Sequence, residues 1–193
     1  MKHYIEITLL PNPDISLNFL WEKVYQRIHL ELVEIKDHKG SVQIGVAFPE
    51  YNAAQYQLGT KLRLFAQQAD TLEQLNPREF LKHLSDYVHL TTSREVPENK
   101  ITGYVSYSRV QVKSNAQRLI RRSIKKDWLS PQQAEERLNK LSDKQITLPF
   151  VQINSKSTGE RFRLFINCIE QSQANTKAFN TYGLSKQSTV PVF

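Results

Sequence analysis

The chain has 193 residues, 39% of them hydrophobic and 10% aromatic, which is enough apolar material for one domain or for two small ones sharing a core. That composition excludes global disorder, and no apolar run approaches the roughly 20 residues that a bilayer-spanning helix needs. The net charge of +7 is unevenly placed: residues 1–100 carry 11 Lys/Arg against 13 Asp/Glu, whereas residues 101–193 carry 15 against 6.

That asymmetry points to a polyanion held by the second half. From Ile101 to Lys126 there are seven basic residues and no acidic one. Nucleic acid is favoured over a membrane surface, because this stretch lacks a Trp/Phe-rich apolar face. Met1–Leu10 has no secretory-leader pattern, since it carries Lys2 and Glu6 among alternating residues. The single cysteine, Cys168, excludes an intramolecular disulfide and fits a reducing compartment, so a cytoplasmic location is expected.

Along the chain, His3–Leu10 alternates and reads as a strand that Pro11 and Pro13 end. Ser16 is the N-cap of an amphipathic helix over 17–35, whose apolar stripe is Leu17, Leu20, Trp21, Val24, Ile28, Leu32 and Ile35. Strands follow at Ser41–Phe48 and Lys61–Ala66, then a helix over Thr71–Tyr87 broken near Pro77, then a short strand over Tyr87–Thr92. The order βαββαβ is that of a ferredoxin-like unit, which hosts many functions and specifies none. Pro97–Gly103 is a polar connector, which divides the chain into 1–97 and 98–193. Beyond it, Tyr104–Lys113 reads as a strand, Ser114 or Asn115 caps a helix to about Lys126, and Ser130-Pro131 starts another to about Leu141. Thr147–Asn154 and Arg161–Ile166 are strands around a Ser-Thr-Gly turn, and Phe179–Leu184 and Val190–Phe193 form the tail. The class is therefore α+β, with a C-terminal half whose fold the pattern alone does not name.

Four groups of residues bear on chemistry. On the 115–126 helix, Arg118, Arg121, Arg122, Lys125 and Lys126 fall within an arc of about 140° at about 100° per residue, and Leu119, Ile120, Ser123 and Ile124 lie opposite. Guanidinium forks suit phosphate, although a charged face is often only a solvated one. Arg109 and Gln111 are two apart on a strand and so share a face; they suit guanine and adenine edges, or are an ordinary polar pair. His29 lies at the flank of the first helix's apolar stripe, where an imidazole can take a proton near neutral pH, but a lone helix-edge histidine is more often structural. Asn154–Gly159 is a hydroxyl-rich turn fit for phosphate or sugar, or a plain β-turn. Phe162 can stack on a base or fill the core, and Tyr182 can orient a catalytic group or fill the interior. The sequence has no zinc spacing, no D-x-D cluster, no P-loop and no G-x-G-x-x-G, so no metal and no cofactor are expected. A nuclease built on these residues would act on RNA, with the 2′-OH as nucleophile.

These residues, in this order, resemble the type I-F (Csy-type) CRISPR repeat endoribonucleases. The likeness runs along nearly the whole chain, through M-K-H-Y-I-E-I-T-L-L-P-N-P, I-G-V-A-F-P, S-R-V-Q-V-K-S-N, L-P-F-V-Q-I-N-S-K-S-T-G-E-R-F-R-L-F-I, Y-G-L-S-K and the terminal V-P-V-F. It implies a ferredoxin-like N-terminal domain and a C-terminal half with a basic RNA-binding helix. It also implies metal-free cutting at the 3′ side of a repeat stem-loop in precursor crRNA, leaving a 2′,3′-cyclic or 3′ phosphate and a 5′-hydroxyl. The enzyme would then keep the hairpin and join the other subunits of the guide-RNA complex; a non-cleaving hairpin-binding subunit is the alternative. By the same resemblance, His29 deprotonates the 2′-OH, Ser155 holds that ribose and Tyr182 orients the imidazole. Ser157 and Thr158 lie near the scissile phosphate, and Phe162 stacks at the base of the stem. Arg109 and Gln111 read bases there, and Arg122, Lys125 and Lys126 enter the groove with Arg118 and Arg121 in support. Where the family favours arginine, positions 125 and 126 carry lysine, which keeps the charge and loses the fork.

Overall fold

A computed structural model describes residues 1–111, 123–126, 128, 130, 132–133, 136, 147–156 and 159–193. Arg118, Arg121, Arg122, Ser157 and Thr158 lie outside the described residues, as does most of the expected 115–126 helix. The chain divides into two units: Met1–Val110 with Leu148–Phe193, and Gln111–Thr147.

In the first unit the elements run β1 (His3–Leu9), α1 (Leu17–Glu34), β2 (Ser41–Val42), β3 (Gly45–Ala47), β4 (Lys61–Ala66), α2 (Ala69–Leu75), α3 (Pro77–Phe80), β5 (Val88–Leu90), β6 (Arg94–Glu95), β7 (Gly103–Val110), β8 (Phe150–Asn154), β9 (Arg161–Gln171), β10 (Phe179–Asn180) and β11 (Val190–Val192). The class is α+β. One sheet has the order β3-β4-β1-β5, with β6 also on β1; a second has the order β11-β7-β9-β8; β2 and β10 pair separately. Among the described residues, every strand pairing is antiparallel.

The alternation in β1 buries Ile5, Ile7 and Leu9. Opposite them, α1 buries Leu20, Trp21, Val24, Tyr25, Ile28 and Leu32. Ser16 caps α1, its Oγ accepting from Phe19 N at 3.3 Å. Leu17 and Ile35, the ends of the expected stripe, are exposed. Fully buried Tyr25 takes a place in that stripe which the pattern left unassigned. Phe48 joins the layers: its ring lies 5.6 Å from that of Trp21, 6.0 Å from Tyr25 and 5.2 Å from Tyr107 on β7.

Several boundaries differ from the expected ones for physical reasons. The expected Ser41–Phe48 strand splits because its first residues pair with β10 and its last with β4. The 71–87 helix breaks at Asn76, which is left-handed (φ 47°) and is followed by Pro77 as the first residue of α3. A 3₁₀ turn over Lys82–Leu84 completes that stretch. β9 runs five residues past Ile166, since β7 pairs with it as far as Tyr104↔Gln171. β7 ends at Val110, so Gln111 lies one residue past the strand rather than on it.

In the second unit, residues 123–125 are helical, and Lys125 and Lys126 are exposed. Lys126 Nζ lies 4.7 Å from the centroid of the exposed Trp128 ring. Ser130 Oγ accepts from Gln133 N at 3.3 Å while Gln133 Oε1 accepts from Ser130 N at 3.1 Å, the reciprocal cap that starts a helix.

Candidate active site

The site is assembled from one face of α1 and two turns that meet it. Residues 22, 25, 26 and 29 follow one another at helical spacings of three, one and three, so their side chains share a side of the helix. Tyr25 and His29 reach the turn at 180–184, and Glu22 and Gln26 reach the turn between β8 and β9.

The first turn is locked from within and from without. Asn180 Oδ1 accepts from Tyr182 N at 2.8 Å and from Leu184 N at 3.2 Å, an Asx turn that fixes the backbone. Gly183 is left-handed (φ 69°), and a Cβ there would lie 2.3 Å from Val46 Cγ2, so only glycine lets the turn sit against β3. From α1, the Tyr25 hydroxyl donates to the Tyr182 carbonyl at 2.8 Å. His29 Nδ1 lies 2.8 Å from the Thr181 carbonyl. A carbonyl only accepts, so Nδ1 carries the hydrogen and the neutral ring keeps its free lone pair on Nε2.

The imidazole is held in orientation by more than that bond. The Tyr182 ring stacks on it with centroids 4.0 Å apart and planes 8° apart. Partial burial lowers the pKa of His29 below its usual value; the bond to Thr181 opposes the shift, and the Arg109 cation adds to it. Burial also raises the Tyr182 phenol. The ring system thus favours a neutral imidazole near pH 7, the form that accepts a proton.

Arg109, on β7, extends the stack. Its guanidinium carbon lies 5.6 Å from the Tyr182 ring centroid and 5.1 Å from that of Phe162 on β9. Its Nε is buried without a hydrogen-bond partner among the described residues. Phe162 is half-buried against the core, so it serves the interior and the site together.

Ser155 follows β8 directly and is half-buried. Its N–H donates to the Glu160 carbonyl at 2.9 Å, and its carbonyl accepts from Gly159 N at 2.8 Å. Its neighbour Asn154 is gripped by α1: Asn154 N donates to Gln26 Oε1 at 2.9 Å, and Asn154 Nδ2 donates to Glu22 Oε1 at 3.2 Å. Arg161, at the start of β9, pairs with the other Glu22 oxygen.

The structure therefore brings His29, Tyr182, Arg109 and Phe162 into one cluster and ties the Ser155 turn to the same helix. Gln111, Lys125 and Lys126 belong to the other unit. Sequence reasoning missed Tyr25, Asn180, Glu22 and Gln26. Tyr25 and Glu22 were legible as residues four and seven before His29, and Asn180 as the Asx-turn residue of Asn-Thr-Tyr-Gly.

The family model described as "CRISPR-associated protein (Cas_Csy4)" matches residues 4–193. A protein of Escherichia coli (strain UTI89 / UPEC), named CRISPR-associated endonuclease Cas6/Csy4, is 39% identical over 194 residues covering all of both chains. A protein of Pseudomonas aeruginosa (strain UCBPP-PA14) with the same name is 38% identical, again over the whole of both. A mixed α+β chain with a helix-borne imidazole is thus matched from end to end by CRISPR-associated endonucleases. The chain belongs to the Cas_Csy4 family of CRISPR-associated proteins.

Proposed function

We propose that this protein is a metal-independent endoribonuclease that cuts CRISPR repeat stem-loops in precursor crRNA and remains on the hairpin it releases. The observation that carries the reading is the fixed tautomer of His29. With Nδ1–H committed to Thr181 and the ring clamped by Tyr182, Nε2 is the one basic atom of the ring left for a substrate.

His29 Nε2 takes the proton of the 2′-OH upstream of the cut, and O2′ attacks the adjacent phosphorus in line with the departing 5′-oxygen. The P–O5′ bond breaks as the P–O2′ bond forms. The 2′,3′-cyclic phosphate stays on one fragment, and the 5′-oxygen leaves as a hydroxyl with a proton from the imidazolium or from water. Alignment supplies much of the rate, because the reacting oxygen must be held close to the in-line position. Ser155 holds the ribose, and the family resemblance assigns Ser157 and Thr158 to the scissile phosphate.

Recognition falls to the basic residues. Arg109, whose buried Nε has no hydrogen-bond partner among the described residues and whose guanidinium lies over Phe162, reads the bottom of the stem, Phe162 stacks there, and Gln111 is read as a further base contact. Arg118, Arg121, Arg122, Lys125 and Lys126 contact phosphates, which position the stem without specifying its sequence. Other subunits of a type I-F crRNA-guided complex are the partners that would take up the product. Among the described residues no helix is long and apolar enough to cross a membrane. We also read the β3-β4-β1-β5 sheet with α1 and α2 as the ferredoxin-like unit, on the strength of its strand order.

The test is cleavage of a type I-F-like repeat hairpin in EDTA, beside the same hairpin with a single 2′-deoxy at the cut. Cutting of the RNA, with the deoxy hairpin bound but intact, is the expected result. Binding of both with cutting of neither would make the protein a hairpin-binding subunit, and the roles of His29, Ser155 and Tyr182 would fall.

A further inference from the structure

Glu22 is a carboxylate that the proposed reaction does not use, yet it is only 6% exposed. A buried carboxylate is costly unless it is paired and hydrogen-bonded, so its partners show what holds it there. They are Asn154, the residue before Ser155, Arg161, the residue paired with Asn154 across the β8–β9 hairpin, and, more loosely, the neighbouring Lys23, whose Nζ lies 3.7 Å from Glu22 Oε1. Gln26, one turn along α1, accepts from the Asn154 backbone N–H. Two side chains of α1 thus hold the last rung of the hairpin from which the Ser155 turn springs. His29 stands one turn beyond Gln26 on the same helix.

The geometry points to Glu22 and Gln26 as positioning residues for the cleavage reaction, which set the Ser155 turn in register with His29. The inference rests on the reading of Ser155 as the residue that holds the reacting ribose. A helix is a rigid ruler: side chains three and four apart keep fixed spacings, so pinning Asn154 and the imidazole to neighbouring turns fixes one against the other. The main chain alone gives no such link, since His29 and Ser155 are separated by the rest of the fold. Reacting groups displaced by an ångström lose orders of magnitude in rate, so the grip acts on cutting and not on holding the stem.

The test is single-turnover cleavage by full-length Glu22→Ala, Glu22→Gln and Gln26→Ala proteins, each with and without Ser155→Ala, beside binding of the 2′-deoxy repeat hairpin. Glu22→Ala and Gln26→Ala are expected to cut at least about tenfold more slowly. They bind the deoxy hairpin like the parent and lose nothing further when Ser155→Ala is added. Glu22→Gln, which keeps an Oε1 acceptor for Asn154, recovers most of the rate. Should Glu22→Ala not fold, Gln26→Ala decides, because Gln26 is only partly buried and carries no charge. Parental rates in both alanine variants, losses that add to that of Ser155→Ala, or weakened binding each overturn the inference. A Ser155→Ala protein that cuts at the parental rate removes the reading of Ser155 instead, whatever Glu22 does.

Discussion

The two turns that α1 holds are built on different physics. The 180–184 turn is secured by neutral hydrogen bonds: one from the buried Tyr25 hydroxyl, two to the exposed Asn180 side-chain oxygen, and one to the Gly183 carbonyl, which accepts from Val46 N at 2.8 Å. The 154–161 hairpin end is secured by a carboxylate whose cationic partner on the hairpin, the Arg161 side chain, is 63% exposed. Neutral hydrogen bonds are insensitive to salt, whereas a half-exposed ion pair is screened and contributes little by itself. The first fixes the orientation and tautomer of the His29 ring, and the second carries Ser155.

The comparison breaks most visibly at His29. His29→Ala is expected to slow cleavage by about a thousandfold, the range of a general base, while the 2′-deoxy hairpin binds as before. Single-turnover kinetics and equilibrium binding on one preparation check it, and lost binding would show that the histidine contacts RNA rather than acting on it. A smaller effect comes from Tyr25→Phe, which keeps the ring stacked on Phe48 and removes one hydroxyl. The Tyr182 carbonyl then loses a partner inside the protein, which costs about 1–3 kcal/mol in a denaturant titration. If the first turn is as rigid as its bonding implies, cleavage falls as well; full activity in a destabilised protein would show that the turn does not depend on that bond.

The smallest and most diagnostic effect is electrostatic. The pKa of His29 lies below its usual value through burial first and the Arg109 charge last, with the Thr181 bond opposing both. A folded ring that resists protonation keeps its full stability above the unfolded value near 6.5 and loses it as pH falls from there through the folded value. Arg109→Gln removes the repelling cation, so the His29 titration followed by NMR in the free protein should move upward. The acid limb of the cleavage profile should move the same way. An unmoved titration would show that Arg109 is too well screened to act on the imidazole.

How much of this was legible in the residues differs from element to element. The alternation of His3–Leu9 and the spacing of Leu20, Val24, Ile28 and Leu32 identify β1 and α1 nearly to the residue, because each buries one face against a single neighbour. The 41–48 stretch was not legible as two strands. Its break reflects a change of pairing partner, and Gly45–Ala47, buried on every side, shows no alternation. Residues 167–171, where β9 continues past the expected Ile166, include no buried residue and no apolar alternation, which hid that continuation.

The sequence by itself determined the class of fold and the basic second half, since composition and spacing are local properties of the chain, whereas His29, Ser155 and Tyr182 were singled out only by the family resemblance. Only the tertiary structure decided which of those residues act together. The tautomer of His29 depends on a carbonyl 152 residues away, and the Ser155 turn depends on a carboxylate more than 130 residues before it. Hydrogen bonds of that separation leave no periodic trace in the chain, because they are selected by the packing of α1 against two distant turns and not by the neighbours of either residue.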